Sequence, residues 1–197
     1  MTEEREKTML TSFQQRYPAQ FSSVILTPPT ATFQGTFTLY GGDLTVELFD
    51  APGHRLDHIA AWIPELRLLL AFDAVEIPIP LIKNVAGVPS MFTTLEHFLQ
   101  LNPQTVLCSH GRTASPDSIK ANVAYLHKVE RLCRTLLSQR LPGKAELDQP
   151  ETLIGYSFEE ALNDIEQIIQ TSAPFDPAFY RESHEMNIQH IFQWLMG

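Results

Sequence analysis

Hydrophobic and polar positions alternate at two different spacings along this chain, and the change of spacing marks its elements. Residues 3 to 17 carry Met9, Leu10, Phe13 and Tyr17 on one helical face, with Thr2 as a cap, Glu3 and Glu4 suited to the positive end, and Pro18 as the stop. Ser22 to Leu26 reads as a short strand, and Thr27-Pro28-Pro29-Thr30 as an extended connector. The spacing then drops to two. Thr36 to Tyr40 and Leu44 to Phe49 flank Gly41-Gly42-Asp43, a hairpin turn, with Leu44, Val46 and Leu48 on one face and Thr45 and Glu47 on the other. Ile59 to Ile63 and Arg67 to Phe72 are the next strands, joined at Pro64-Glu65. The second is apolar nearly throughout, the pattern of a strand buried on both faces.

From Glu76 to Pro89 the chain is rich in proline and has no period, which predicts an irregular loop and a pocket wall. Helical spacing returns from Met91 to Leu101, with Ser90 as cap and Phe92, Leu95, Phe98 and Leu99 inward. Thr105 to Cys108 is a last short strand. Ser115-Pro116 opens a helix to about Gln139 with Val123, Leu126, His127 and Leu137 in its apolar stripe. Ser157-Phe158-Glu159-Glu160 fits a capping box for a helix to about Gln170, and Asp176-Pro177 opens the final one. Strands first and helices covering them predict an α/β layered architecture.

Composition narrows the function classes. With 197 residues there is material for one domain, or one domain and an appendage. The net charge of −9 repels phosphate backbones and no basic patch offsets it, so nucleic acid is not an expected partner. The longest apolar run, Leu68 to Phe72, is far too short for a membrane span, and the acidic start has no leader pattern, so a cytoplasmic protein is expected. Cys108 and Cys133 form no disulfide framework.

Three polar residues stand where apolar strands end: His54, Asp73 and His110. Imidazole and carboxylate together suit zinc or another first-row divalent ion, and three strand ends can converge on one edge of a sheet. Taken singly, each is also what a solvated loop residue looks like.

Their local contexts separate these readings. Ala51-Pro52-Gly53-His54, then His58-Ile59, then Ala71-Phe72-Asp73-Ala74, then Cys108-Ser109-His110-Gly111, resemble the second half of the metallo-β-lactamase superfamily over about residues 33 to 112. The resemblance implies an incomplete αββα sandwich in residues 1–140, with 141–197 a helical extension packed on it. It implies that His54 is a ligand of a first metal, that Asp73 bridges two, and that His110 is a ligand of the second. His58 and Asp57 stand in support behind them. The implied activity is hydrolysis of an ester, thioester, lactone or amide in a small-molecule substrate, through a metal-bound hydroxide.

Two departures qualify that inheritance. The superfamily's His-x-His-x-Asp-His motif has no counterpart, and Phe72 stands where a glycine precedes the bridging aspartate. The alternative is therefore a truncated, catalytically inactive homologue acting as a structural or binding module, with zinc weakly bound or absent. Either way, an uncovered apolar sheet face would favour a homo-oligomer or a complementing chain. Outside these motifs, His184 on the last helix reads as a buried, hydrogen-bonded histidine, His97 and His127 as structural, and Cys108 as a small buried hydrophobe.

Overall fold

The computed structural model describes residues 3–27, 29–170 and 174–197. Thr2 and Pro28, read above as a cap and part of a connector, lie outside them. The chain divides into two compact units between Phe33 and Gln34.

The first unit holds α1 (Glu3–Arg16) and α2 (Pro18–Phe21). Pro18 ends one helix by starting the next, at a position where its missing N–H costs nothing. The rings of Phe13 and Phe21 stack with centroids 5.1 Å apart. The strand expected at Ser22 to Leu26 is not formed. Its polar groups are used locally instead: Val24 N donates to Phe21 O, and Val24 O accepts from Gln14 Nε2.

The second unit is built on one sheet of β1 (Thr36–Gly41), β2 (Leu44–Asp50), β3 (Ile59–Ile63), β4 (Leu68–Phe72) and β5 (Thr105–Cys108), in that spatial order. The first four are antiparallel neighbours, and β5 lies parallel to β4. A parallel pair needs a long crossover. Here the crossover contains the proline-rich loop and α3 (Gly87–Leu101). The helix starts one turn earlier than its periodicity suggested, because Asn84 Oδ1 accepts from Gly87 N and leaves Ser90 inside the helix. Its buried face is Met91, Thr94, Leu95 and Phe98. Phe92 is only half-buried, and Leu99 is exposed rather than inward.

Beyond β5 come α4 (Asp117–Leu137), α5 (Lys144–Leu147), α6 (Pro150–Ile154), α7 (Phe158–Glu166) and α8 (Pro177–Met196). The caps expected at Ser157 and Asp176 are made. Ser157 Oγ accepts from Glu160 N while Glu160 Oε2 accepts from Ser157 N, and Asp176 Oδ1 accepts from Ala178 N and Phe179 N. His127 is exposed, not part of the apolar stripe of α4. Leu126 lies in that stripe as expected, with Tyr125, Val129 and Cys133, and Val123 and Leu137 pack against it partly buried. The helix α8 packs on α4 and α6, and its Ile188, Ile191 and Phe192 join the same core as Leu95 and Phe98 of α3.

The two faces of the sheet differ. Phe49, Ala60, Trp62, Leu69, Ala71 and Val106 point toward the helices, and Phe49 meets Phe98 edge-on. The opposite face carries Phe37, Leu48, Ala61, Leu70 and Leu107 in register across all five strands. Phe37 and Leu107 are exposed there, while Leu48 and Leu70 are half-buried. So β4 is not buried on both sides as its composition suggested. Leu69 and Ala71 are sealed, and Leu68, Leu70 and Phe72 are not.

The loop after β4 is the least ordinary part of the core. Residues 74 to 82 are all buried although none is in a helix or strand. Buried backbone polar groups need partners, and side chains supply them. Asn122 clamps Glu76, taking its N–H on Oδ1 and donating Nδ2 to its carbonyl. Asn187 does the same across two residues, accepting from Ile82 N and donating to Pro80 O. His54 donates to Leu81 O and His190 to Ile82 O.

Candidate functional site

The histidine turn after β2 is held from three sides. Ala51 N donates to His58 O and Gly53 N to Arg55 O, closing the turn on itself. Thr94 Oγ1 from α3 donates to Pro52 O, and Lys83 N donates to His54 O. The imidazole of His54 is buried, with Nδ1 2.9 Å from Leu81 O. A carbonyl can only accept, so Nδ1 carries the hydrogen and Nε2 carries the lone pair. Burial, followed by the charge of Lys83, pushes its pKa down to about 4, against the opposing pull of Asp73. His54 is therefore a neutral imidazole at physiological pH.

His58 lies beside it, ring centroids 6.0 Å apart, with its Nδ1 buried and without a hydrogen-bond partner. Burial lowers its pKa as well, and the charge of Asp73 again opposes. Asp57 is exposed and forms a two-point pair with Arg55 at 2.9 and 3.2 Å.

Asp73 follows Phe72, whose φ of +49° is left-handed. That backbone region favours glycine and costs a bulky residue on the order of 1 kcal/mol. Phe72 thus keeps a glycine-type turn without the glycine, and its ring lies 6.5 Å from that of His58. The turn coincides with a register shift between β4 and β5. It leaves Asp73 Oδ1 buried without a hydrogen bond, 3.6 Å from Nε2 of His110. That distance suits an ion pair and exceeds a hydrogen bond.

Two further residues join from the loop and from α8. Glu76 is sealed in the core and accepts from Tyr180 Oη at 2.9 Å. Burial pushes its carboxyl above the usual range, while the Tyr180 hydrogen bond and the nearby His110 pull it back. The Tyr180 hydroxyl is pushed up in turn by burial and by Glu76. Neither residue was singled out from sequence. Glu76 had a signal, a lone carboxylate in an apolar proline-rich run. Tyr180 had none, because the contact spans 104 residues. Beside them, Cys108 is pushed up to about 11 by burial and is a thiol rather than a nucleophilic thiolate. His184 is fully buried between the Tyr125 hydroxyl and Tyr156 O, a structural histidine as expected.

The structure therefore brings Asp73 and His110 together, and sets His54 and His58 side by side within the field of Asp73. Among the described residues, no group of three or more His, Cys, Asp or Glu side chains is arranged to hold a metal ion. A catalytic zinc takes three protein ligands and an open position. As placed, these residues do not fit a self-sufficient zinc centre, although Asp73 Oδ1 and His54 Nε2 are lone pairs of the right kind.

Burial of these histidines sets the pH response of the fold. The unfolded chain titrates His near 6.5, whereas His54, His58 and His184 are all depressed in the fold. Between about pH 4 and 6.5 the unfolded state binds more protons, so stability is present above that window and is lost as pH falls through it. Glu76, raised, acts in the opposite sense, as one group against three. Urea unfolding is expected to show a loss of about 2 kcal/mol from His54 alone between neutral pH and pH ~5. A flat or rising profile on acidification contradicts the buried, neutral state.

No protein-family model and no curated protein matches the sequence. Solved structures do match. A metallo-β-lactamase family protein from Thermus thermophilus aligns at 16% identity, covering 84% of this chain and 60% of its own, with a TM-score of 0.51. An archaeal metallo-β-lactamase superfamily protein from Sulfolobus tokodaii aligns at 15% identity over 85% of this chain and 66% of its own, TM-score 0.45. A metallo-β-lactamase from Pontibacter korlensis aligns at 17% identity over 58% of this chain and 60% of its own, TM-score 0.44. This chain spans 60% of the length of the Thermus protein. No described helix is long and apolar enough to cross a membrane. With the five-stranded mixed sheet of its second unit, that unit's helices on one face of the sheet and this likeness, the chain has the fold of the metallo-β-lactamase superfamily.

Proposed function

We propose that this chain is part of a metal-dependent hydrolase acting on an ester, thioester, lactone or amide of a small molecule. His54, Asp73 and His110 are its share of the metal ligands. The observation that carries the reading is the buried Asp73 Oδ1, which has no hydrogen-bond partner and faces His110 at 3.6 Å. Leaving a carboxylate oxygen unsatisfied is costly unless a cation completes it. His54 supports the same reading. Its Nδ1–H is anchored on a backbone carbonyl, which orients Nε2 and keeps it unprotonated, as metal-binding histidines require. A divalent ion, when bound, supplies a Lewis acid for a carbonyl and a means of ionising water at neutral pH. The remaining ligands come from outside these residues, in a complementing chain or a second copy seated on the open apolar sheet face. That face, with Leu107 exposed and Leu48 and Leu70 half-buried, supports association.

A second reading, a non-catalytic binding module, is favoured by the absence of any three-residue metal group among the described residues. One titration separates them. The chelated chain is titrated with zinc, with its mass followed by light scattering and its turnover of a p-nitrophenyl ester measured alongside. The expected result is zinc uptake with a dissociation constant of about 1 μM or weaker, consistent with an incomplete ligand set. Asp73→Asn and His110→Ala should abolish it. No uptake even at millimolar zinc would remove the ligand roles and leave the binding module. Nanomolar uptake with chelator-sensitive turnover by the monomer would show that the chain needs no complement.

A further inference from the structure

A cleft of about 400 Å³ opens beside His110, between the proline-rich loop, the loop after β5 and the start of α8. Its volume is that of a small-molecule site. Ile77, Pro78, Phe175 and Phe179 give it apolar walls. The aromatic part is braced by packing: Tyr180 meets Phe175 at 5.6 Å and Phe179 at 5.1 Å, both edge-on.

The polar groups at the cleft are unequally available. Tyr180 donates its hydroxyl to Glu76. Asp176 has Oδ1 occupied by two N–H groups of α8, so its charge serves the helix end. Arg112 makes no hydrogen bond or ion pair among the described residues. Gly111 precedes it in the cleft lining. With φ at +100°, this residue turns against the cleft wall, and a Cβ on it would lie 3.1 Å from Ile77 Cβ. Among the described residues, the cleft lining therefore combines an uncommitted arginine with apolar walls, in a chain whose net charge is −9.

We propose that this cleft binds a small organic carboxylate with an aliphatic or aromatic body, the carboxylate on Arg112 and the body against Ile77, Pro78 and Phe179. As the substrate class of the hydrolase above, the proposal rests on that reading. As a binding site it does not. A guanidinium pairs a carboxylate through two parallel hydrogen bonds, and an apolar wall supplies the rest of the affinity. Inorganic phosphate, which carries no such body, would leave that wall unused.

The test is calorimetric, on the whole chain kept metal-free with chelator, using octanoate and octanamide as probes. The two share a body and differ in charge. Octanoate should bind at least about tenfold more tightly than the amide at low salt, and the preference should fall with ionic strength. R112A should bring the acid down to the level of the amide and leave the amide unchanged, whereas R112K should keep part of the preference. F179S should weaken both probes alike. Arg112 is exposed, so its replacement leaves the fold intact. Equal binding of the two probes, no binding of either below about 10 mM, or a preference that survives R112A overturns the proposal. Because metal is excluded, failure of zinc uptake with the acid preference intact overturns only the metal reading. Zinc uptake without the preference overturns only this one.

Discussion

Replacing Asn187 by leucine is expected to cost about 3–5 kcal/mol of folding stability, the sum of two buried backbone groups left without partners. The amide is fully buried on α8. It accepts from Ile82 N at 2.9 Å, donates to Pro80 O at 2.6 Å, and reaches the Tyr125 hydroxyl at 3.3 Å. Leucine is close to it in size and offers none of these bonds. The effect should be read from urea unfolding, with hydrogen exchange at the Ile82 amide as the local report. Asn122→Leu, which frees Glu76 N and O, should behave alike. A loss under about 1 kcal/mol for Asn187→Leu would mean that the loop finds other partners. The same loop carries Glu76 and supplies the carbonyl that orients His54, so these variants should also loosen the site.

Gly87→Ala should be comparably severe, for a steric reason. A Cβ at Gly87 would stand 2.3 Å from Gly53 O and 3.3 Å from Ile82 Cγ2. The first neighbour is backbone in the histidine turn, and it cannot yield without moving His54. Gly53 is itself wedged, since a Cβ there would meet Met91 Cα at 2.7 Å. The start of α3 and the histidine turn thus touch through two glycines. Overpacking at backbone contacts costs about 3 kcal/mol or more when nothing can relax. The control is Gly41→Ala, where the nearest atom is Leu44 O at 3.9 Å. In that strand the change should stay within about 1 kcal/mol. Equal unfolding midpoints for the two variants would sink the argument.

Much of the secondary structure was legible because its causes are local. The hairpin from Thr36 to Asp50 follows from alternation around Gly41-Gly42, and the helices after Ser115, Ser157 and Asp176 from caps three residues long. Where local signals compete, the structure departs from the local pattern. At α3, Asn84 takes the N–H of Gly87, and the helix starts there instead of after Ser90. The segment after Phe21 spent its polar groups on its own helix instead of a strand. The short helices α5 and α6 hold too few residues to show a period.

The site divides in the same way. Sequence by itself determined which residues stand at strand ends, and so marked His54, Asp73 and His110. The resemblance set Phe72 where the superfamily has a glycine, and only the structure showed that Phe72 takes a left-handed φ. Only the tertiary structure decided that Asp73 reaches His110 while the third residue is not gathered with them. Only the tertiary structure turned the proline-rich stretch into buried core, with Asn122, Asn187 and Tyr180 as its partners at separations of 46 to 107 residues. The physical reason is range. Caps, turns and alternation act within a few residues and are written in the local string. The partner of a buried polar group is chosen by whichever distant side chain packing brings within about 3 Å, and no local pattern encodes that choice.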